Sequence, residues 1–354
     1  MTTETATTSP PDMRARLRVN NFDFLRLFFA TMVVFHHTGA LSGSPSLLWM
    51  DRYFSPHFAV QAFFFVSGFL VTMSFEKSSS LRSYAEKRFR RIAPAYAFVV
   101  LGAALTFSLL STLPTAQYFG SSGLRRYVFF NLLLSNFNAP SLPGVFAKNV
   151  ETAVNGSLWT IKIEVAFYCM VPVLVWLGRR AGRYRTLIAV FFLSLVWRLA
   201  LMAWAKKTGN HFFAKLAIQA PGQLTFFVIG ALAYYRTEEG KPALPAWTAA
   251  LGFLGYVFLT GLAHELTAPF CVAAVCYWAA VGMSKLPIDV NHYGDISYGI
   301  YLYHWPLVQM MIVLGLFSFS PAVGAIVVLL GATAFSYFSW HFIEKRFLRH
   351  RSPT

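Results

Sequence analysis

Charged residues are scarce in this sequence, and acidic residues are the scarcest. Only 12% of the 354 residues are charged and 56% are hydrophobic, whereas soluble domains carry about 25% charged residues. The chain has 30 Lys and Arg residues, and its excess of positive charge is concentrated in short clusters between apolar runs. A nucleic-acid-binding surface would need a soluble basic patch interleaved with aromatic residues instead. We therefore predict a membrane protein with the lipid bilayer as its surroundings and no nucleic-acid partner.

Cysteines are few, and motifs for metal or nucleotide binding are missing. Cys169, Cys271 and Cys276 lie within apolar segments, which is typical of small buried residues rather than of a disulfide framework. The nine histidines form no H-x3-H, H-E-x-x-H or Cys-His cluster, so we predict no metal site. The sequence also has no G-x-x-x-x-G-K-[ST] loop for nucleotide phosphates.

Long apolar runs make up most of the sequence. A membrane-spanning helix needs about 20 mainly apolar residues, and ten runs approach that length. They lie at approximately 24–41, 58–75, 93–112, 157–177, 186–204, 222–236, 246–263, 266–283, 296–317 and 321–341. The sequence thus predicts an all-α polytopic protein with about ten transmembrane helices.

Basic clusters precede the first run and follow the second, fourth and tenth runs. Because Lys and Arg hold loops on the cytoplasmic side, we predict that both termini are cytoplasmic. We assign residues 1–19 to an N-terminal tail, 20–346 to one transmembrane domain and 347–354 to a C-terminal tail. The first run is too long for the apolar core of a signal peptide, so it is predicted to remain as a helix. Residues 127–137 are apolar but too short to span, which leaves a re-entrant and an interfacial position open.

Two ionisable residues share one stripe of the first helix. Arg26 and His37 are eleven residues apart, which brings them within about 20° of the same face at a separation of about 16 Å. Ionisable side chains in a bilayer usually face a cavity or a partner. His36 points about 100° away, so we predict that it packs against a neighbour.

Helix depth suggests which groups act together. His37 on the first helix and Glu164 on the fourth reach a similar depth if each residue rises about 1.5 Å. A carboxylate beside an imidazole fixes its tautomer and raises its basicity, so we predict that His37 is a general base oriented by Glu164. Arg26 lies near the cytoplasmic mouth, as do Arg88 and Arg91, which suggests a basic entrance for an anionic ligand.

Six blocks of the sequence resemble, in order, the acyltransferase-3 family of integral membrane acyltransferases, and together they cover nearly the whole chain. They are DFLR (23–26) with His37, FVSGFL (65–70), RFRRIAP (88–94), NGSLWTIKIEVAFY (155–168), SYGIYLYHWP (297–306) and WHFIE (340–344). The resemblance implies transfer of an acyl group, commonly acetyl, from acyl-CoA to a hydroxyl of a glycan or lipid-linked sugar. It places this reaction in the bacterial inner membrane, with acyl-CoA as donor substrate and no permanently bound cofactor.

The resemblance also carries site residues over to this sequence. Arg26 and His37 match the family's R-x10-H motif, and Arg88 and Arg91 match its arginine pair, which is expected to contact the CoA phosphates. Further candidates within the blocks are Asp23, Ser67, Trp159, Tyr168, Tyr298 and His304.

Two residues in the last blocks also have simpler interpretations. Pro306 within a helix would free the carbonyl of Leu302, so a structural kink with a local polar partner is expected there. Glu344 is expected to be a solvated charge or a member of an ion pair.

The acceptor and the exact chemistry stay open. Many family members carry an outer hydrolase-like domain that this sequence lacks, so the acceptor is expected to be bound by helices and by outer loops at about 113–156 and 205–222. A small secondary metabolite such as a macrolide, or a protein, is an alternative acceptor. A proton-coupled transporter would also use intramembrane Arg, His and Glu, although the sequence shows no repeated halves. His37 can serve as base or as nucleophile.

Overall fold

The computed structural model describes residues 13–287 and 290–348. Within these ranges the regular structure is helical and contains no strand, which confirms the all-α prediction. Each predicted apolar run corresponds to one helix. These helices are α1 (Phe22–Leu41), α2 (Pro56–Glu76), α3 (Leu81–Thr106), α4 (Trp159–Ala181), α5 (Arg183–Thr208), α6 (Ala220–Glu238), α7 (Ala246–Phe258), α8 (Gly261–Tyr277), α9 (Ser297–Val313) and α10 (Pro321–Ser339).

Shorter helices lie between and after them. They comprise Leu48–Tyr53, Thr115–Gly120, Ser122–Leu132, His211–Ala217, Leu316–Phe319 and Lys345–Leu348. The π-helical turns Trp278–Gly282 and Trp340–Glu344 extend α8 and α10.

Eight helices in the described part of the chain are long and apolar enough to cross a membrane. The remaining two predicted spans correspond to α7, which has 13 residues, and α9, which has 17. The predicted tails at 1–19 and 347–354 lie largely outside the described residues, and the orientation of the termini stays a prediction.

The chain divides into two compact units. The first unit consists of residues 1–25, 64–73 and 177–288, and it contains α5 to α8 together with the middle of α2. Here α2 and α6 touch backbone to backbone: a Cβ atom on Gly68 would lie 1.9 Å from the carbonyl oxygen of Phe227, and one on Gly230 would lie 2.1 Å from that of Phe65. Gly68 and Gly230 thus form a small-residue contact surface of the kind found between membrane helices.

The second unit consists of residues 26–63, 74–176 and 289–354. Its core contains Ala30 and Val34 from α1, Ile300 and Val308 from α9, and Val328 from α10. Most of α9 is buried, as expected for a helix that is apolar on nearly all sides. This packing sets the later part of α1 beside α9.

The apolar segment that was predicted to be too short to span is only partly helical. The helix Ser122–Leu132 ends within it, and Tyr127 and Asn131 are buried. The Asn131 amide donates to the carbonyls of Tyr127 and Ala139, while the Tyr96 hydroxyl donates to the Asn131 carbonyl. The bond from Tyr96 fastens the segment to α3, and the re-entrant or interfacial position of the segment stays a prediction.

Candidate active site

Two histidines of the second unit form a pair. His37 lies near the end of α1 and His304 lies in the middle of α9. The Nδ1 atom of His37 is 2.8 Å from the Nε2 atom of His304, and the stacked rings have centroids 5.1 Å apart. His304 is fully buried, whereas His37 is only partly buried. His37 is therefore the member of the pair that retains accessible surface.

Hydrogen bonds assign the tautomers of this pair. His304 Nδ1 lies 3.2 Å from the carbonyl oxygen of Ile300, and because a carbonyl can only accept, this nitrogen carries the proton in neutral His304. Its Nε2 atom is then an acceptor, so His37 donates from Nδ1. His37 consequently keeps the lone pair on Nε2, which is the state required of a general base or a nucleophile.

The contact that fixes the His37 tautomer differs from the predicted one. His304 makes this contact, whereas Glu164 Oε1 accepts a 2.5 Å hydrogen bond from the Tyr168 hydroxyl one turn further along α4. The prediction depended on equal depth, and depth does not fix which face of a helix turns toward its neighbour. We therefore revise the orienting partner of His37 from Glu164 to His304.

His36 and Pro306 follow their predictions. His36 Nδ1 lies 2.9 Å from Asp51 Oδ1, so this imidazole contacts a neighbour on the short helix Leu48–Tyr53. The Asn155 amide donates to the carbonyl oxygen of Leu302 at 2.8 Å. Asn155 thus supplies the polar partner expected for the carbonyl that Pro306 leaves without its helical donor.

A cluster of ion pairs, which we term the arginine cluster, occupies another part of the second unit. Arg26 Nη1 and Arg91 Nη2 lie 2.5 Å and 2.6 Å from the same oxygen, Asp295 Oδ2. The Ser297 hydroxyl donates to Asp295 Oδ1 at 2.7 Å. Arg91 Nη1 also lies 3.5 Å from Glu344 Oε2. One carboxylate therefore joins guanidinium groups from α1 and α3.

Aromatic and hydroxyl groups complete the arginine cluster. The Arg91 guanidinium lies 5.5 Å from the ring centroid of Tyr298 and 5.8 Å from that of Trp340. Glu344 is 1% exposed and accepts a hydrogen bond from the Ser339 hydroxyl. Of the two predicted states of Glu344, the structure therefore shows the ion pair and not the solvated charge.

Electrostatics keep Asp295 ionised. Burial disfavours the charged carboxylate, but the Arg26 and Arg91 guanidinium groups and the Ser297 hydroxyl outweigh this effect. They hold the pKa of Asp295 well below its ordinary value. The carboxylate thus remains a counter-ion of both arginines throughout the physiological pH range.

Arg88 lies one turn before Arg91 on α3 and has different neighbours. Its Nη2 atom donates to the Ser74 hydroxyl at 3.1 Å, and its guanidinium lies 5.6 Å from the ring centroid of Tyr168. The buried Nε atom of Arg88 has no hydrogen-bond partner among the described residues. A buried donor without a partner is costly, so Arg88 is equipped to bind an anion.

The remaining candidate residues lie in different places. Tyr168 and Tyr298 contact the arginines, as described, and Trp159 is the first residue of α4. Asp23, in the first turn of α1, and Ser67, buried in α2, both belong to the first unit. Their predicted site roles stay predictions.

Asp295 is the functional candidate that sequence reasoning missed. It stands two residues before the block SYGIYLYHWP and is one of only 14 acidic residues in the chain. The signal that was available is this scarcity, because each acidic residue close to a membrane helix is a potential counter-ion for the excess of arginine.

Comparisons with known proteins show the family to which this chain is related. The Acyltransferase domain family matches residues 19–341. An "O-acetyl transferase" of Shigella phage Sf6 is 29% identical over 348 residues, covering 94% of this chain and 97% of the relative. "Nodulation protein 10" of Rhizobium leguminosarum bv. viciae is 30% identical over 372 residues, covering 94% of each chain. No solved structure gives a significant match.

Proposed function

Since this chain belongs to the acyltransferase-3 family of integral membrane acyltransferases, we propose that it moves an acyl group, most simply acetyl, from acyl-CoA to a hydroxyl of a cell-envelope or exported glycan. The observation that carries this proposal is the His37–His304 pair, which leaves an imidazole lone pair on a partly accessible side chain. The name of the phage relative, O-acetyl transferase, supports acetyl as the group and oxygen as the acceptor atom.

The proposed reaction uses His37 as a general base. A thioester is already activated, so the step that needs help is removal of the acceptor's proton. His37 Nε2 takes the hydroxyl proton while the hydroxyl oxygen attacks the thioester carbonyl carbon. The carbon–sulfur bond then breaks, the ester remains on the acceptor, and the imidazolium returns its proton to the departing CoA thiolate. His304 Nε2 accepts from His37 Nδ1 throughout and stabilises the transient positive charge.

Donor binding is proposed to involve the arginines. Arg88 offers an unpartnered buried donor and has a serine hydroxyl and an aromatic ring as neighbours, so we assign to it the strongest contact with a CoA phosphate. Arg26 and Arg91 already share Asp295, so they are assigned only a weaker contact with the donor. The donor would approach from the cytoplasmic side of the bacterial inner membrane.

The experiment that tests this function measures release of free CoA thiol. Purified protein is given acetyl-CoA with crude envelope glycan as acceptor, and a reaction without glycan measures hydrolysis. We expect acceptor-dependent release that His37→Ala removes while the variant stays folded. If no short acyl-CoA releases thiol and the folded protein instead binds or moves a solute, the transporter alternative replaces this proposal.

A further inference from the structure

One face of α9 is bonded to a segment without α-helix next to the histidine pair. Residues 302, 305 and 309 are three, four and seven positions apart, so they lie on one face of the helix. Each of them bonds to the stretch 149–157, which we term the strap. The strap connects the region after the helix Ser122–Leu132 to the start of α4, and its two ends belong to the same unit as His37.

Gln309 makes the most bonds in this arrangement. Its side chain is fully buried, and its Nε2 atom donates to the carbonyls of Glu151 at 2.6 Å and Ala153 at 2.8 Å. Its Oε1 atom accepts from the Asn149 amide at 2.9 Å. Both amide hydrogens and the amide oxygen of Gln309 are therefore used to hold the strap.

Trp305 connects the strap to His37. Its indole Nε1 donates to the Ala153 carbonyl at 3.1 Å, the same carbonyl that Gln309 binds. A Cβ atom on Gly156 would lie 2.5 Å from the indole ring, so the strap also packs against the ring itself. The indole meets the His37 imidazole edge to face, with centroids 4.6 Å apart. A displacement of the strap is thus transmitted to His37 through one rigid side chain.

The strap also presents polar groups to its surroundings. Glu151 and Thr152 are exposed, and Lys148 is exposed immediately before the strap. Hydroxyl-bearing acceptors are recognised by such hydrogen-bonding groups. The strap lies beside His37 and could therefore line a binding site for an acceptor that carries several hydroxyl groups.

We infer that Gln309 is a positioning residue: by fastening the strap it holds Trp305 against His37 and fixes the side from which the acceptor hydroxyl approaches. This inference rests on the proposed function and adds a residue that no sequence motif singled out. Because a reacting group misplaced by about 1 Å can cost roughly 100-fold in rate, Gln309 acts on turnover and not on binding of the donor.

The test compares two buried amides with matched chemistry. Asn21, in the first unit, likewise donates to two backbone carbonyls, those of Ala279 and Ser284. Gln309→Leu and Asn21→Leu therefore remove the same kind of clamp, one beside His37 and one in the other unit. We expect Gln309→Leu to lower kcat for acceptor-dependent thiol release roughly tenfold to 100-fold, with KM for acetyl-CoA unchanged. Asn21→Leu should leave kcat within about twofold at equal amounts of folded protein.

A double-mutant cycle separates positioning from general destabilisation. If Gln309 acts through the indole, Gln309→Leu should change kcat little in a Trp305→Phe background, because the two effects share one route. Additive losses, or a loss in Asn21→Leu as large as in Gln309→Leu, would overturn the inference. Should Gln309→Leu fail to fold, Asn149→Ala leaves the Gln309 side chain in place. It removes only the two hydrogen bonds that the Asn149 amide donates to the backbone carbonyl and to Oε1 of Gln309, and it should lower kcat in the same direction by a smaller factor.

The outcomes also distinguish this inference from the proposed function. An inactive wild-type protein would refute the proposed function itself. An active wild-type protein together with an unaffected Gln309→Leu variant would refute only the positioning role.

Discussion

The histidine pair and the arginine cluster each join α1 to the stretch that begins at Asp295 and continues into α9. The histidine pair uses neutral hydrogen bonds, whereas the arginine cluster uses ion pairs. Arg26 meets Asp295 just before α9, and His37 meets His304 within it. The partners therefore advance in the same direction along both stretches, by eleven and nine residues, so this part of α1 runs parallel to α9. The two contacts are about 16 Å apart along α1.

The two regions differ in whether their side chains are charged. The histidine pair forms a chain of neutral hydrogen bonds that ends on a backbone carbonyl, whereas the arginine cluster compensates its cations with two carboxylates. A proton acceptor must be neutral and correctly oriented, while a buried cation must be paired with an opposite charge. The contrast teaches that one pair of neighbouring helix stretches holds a neutral hydrogen-bonded pair at one level and compensated ion pairs at another.

Removal of the proton acceptor should give the largest effect. We expect His37→Ala to lower acceptor-dependent thiol release by roughly 10²- to 10⁴-fold, the usual contribution of a general base. The adjacent His36 faces Asp51, so His36→Ala is the matched control and should retain most activity. Equal losses in both variants, measured at equal amounts of folded protein, would contradict the assignment of His37.

Loss of the shared carboxylate should mainly affect stability. Asp295→Asn leaves the Arg26 and Arg91 guanidinium groups without their common counter-ion. Breaking a buried ion pair by removing one partner costs roughly 3 kcal/mol or more of unfolding free energy, so we expect a clearly lower midpoint in thermal unfolding of the detergent-solubilised protein. An unchanged midpoint would show that the cluster contributes little to the fold.

Removal of the Arg88 guanidinium should mainly affect donor binding. Arg88→Ala is expected to raise KM for acetyl-CoA roughly tenfold to 100-fold, because hydrogen bonds to charged groups contribute about 1.5–3 kcal/mol, and to change kcat less. Arg90 lies on the same helix and pairs with Glu86 one turn earlier, which makes Arg90→Ala the control. A KM effect that is equal in both variants would indicate general electrostatic attraction only.

Acidification should give the smallest effect. The pKa of Asp295 is lowered in the folded protein, so its contribution to stability is fully present above its unfolded pKa of about 3.9 and is lost as the pH falls through the lower folded value. The difference in unfolding midpoint between wild type and Asp295→Asn should therefore stay constant from pH 8 to about pH 5 and shrink only below about pH 4. Shrinkage already near pH 6 would contradict the assignment of this carboxylate.

Much of this architecture was accessible to sequence reasoning because it depends on local chemistry. Ten apolar runs predict ten helices, since a membrane core tolerates little else. The eleven-residue spacing of Arg26 and His37 predicts one face of one helix, since the period of an α-helix is a property of the backbone. Pro306 predicts a carbonyl in need of a donor, and Asn155 supplies it.

The sequence did not predict in the same way which side chains of different helices contact one another. Depth along an axis is a function of residue count, but the rotation of α4 and α9 about their axes depends on packing with all their neighbours. Hence Glu164 was a reasonable partner for His37 by depth, while His304 makes the contact. No motif singles out Asp295 or Gln309, and they matter because folding brings Arg91 and the strap to them.

The order of residues alone is sufficient to establish a polytopic helical acyltransferase with an ionisable stripe on its first helix, because hydropathy, helical period and motif order are all read along one chain. Only the tertiary structure shows that His37 contacts His304, that Asp295 pairs with two arginines and that Gln309 binds the strap. Each of these contacts joins residues that are more than 150 positions apart, and only the packing of helices determines which distant side chains meet.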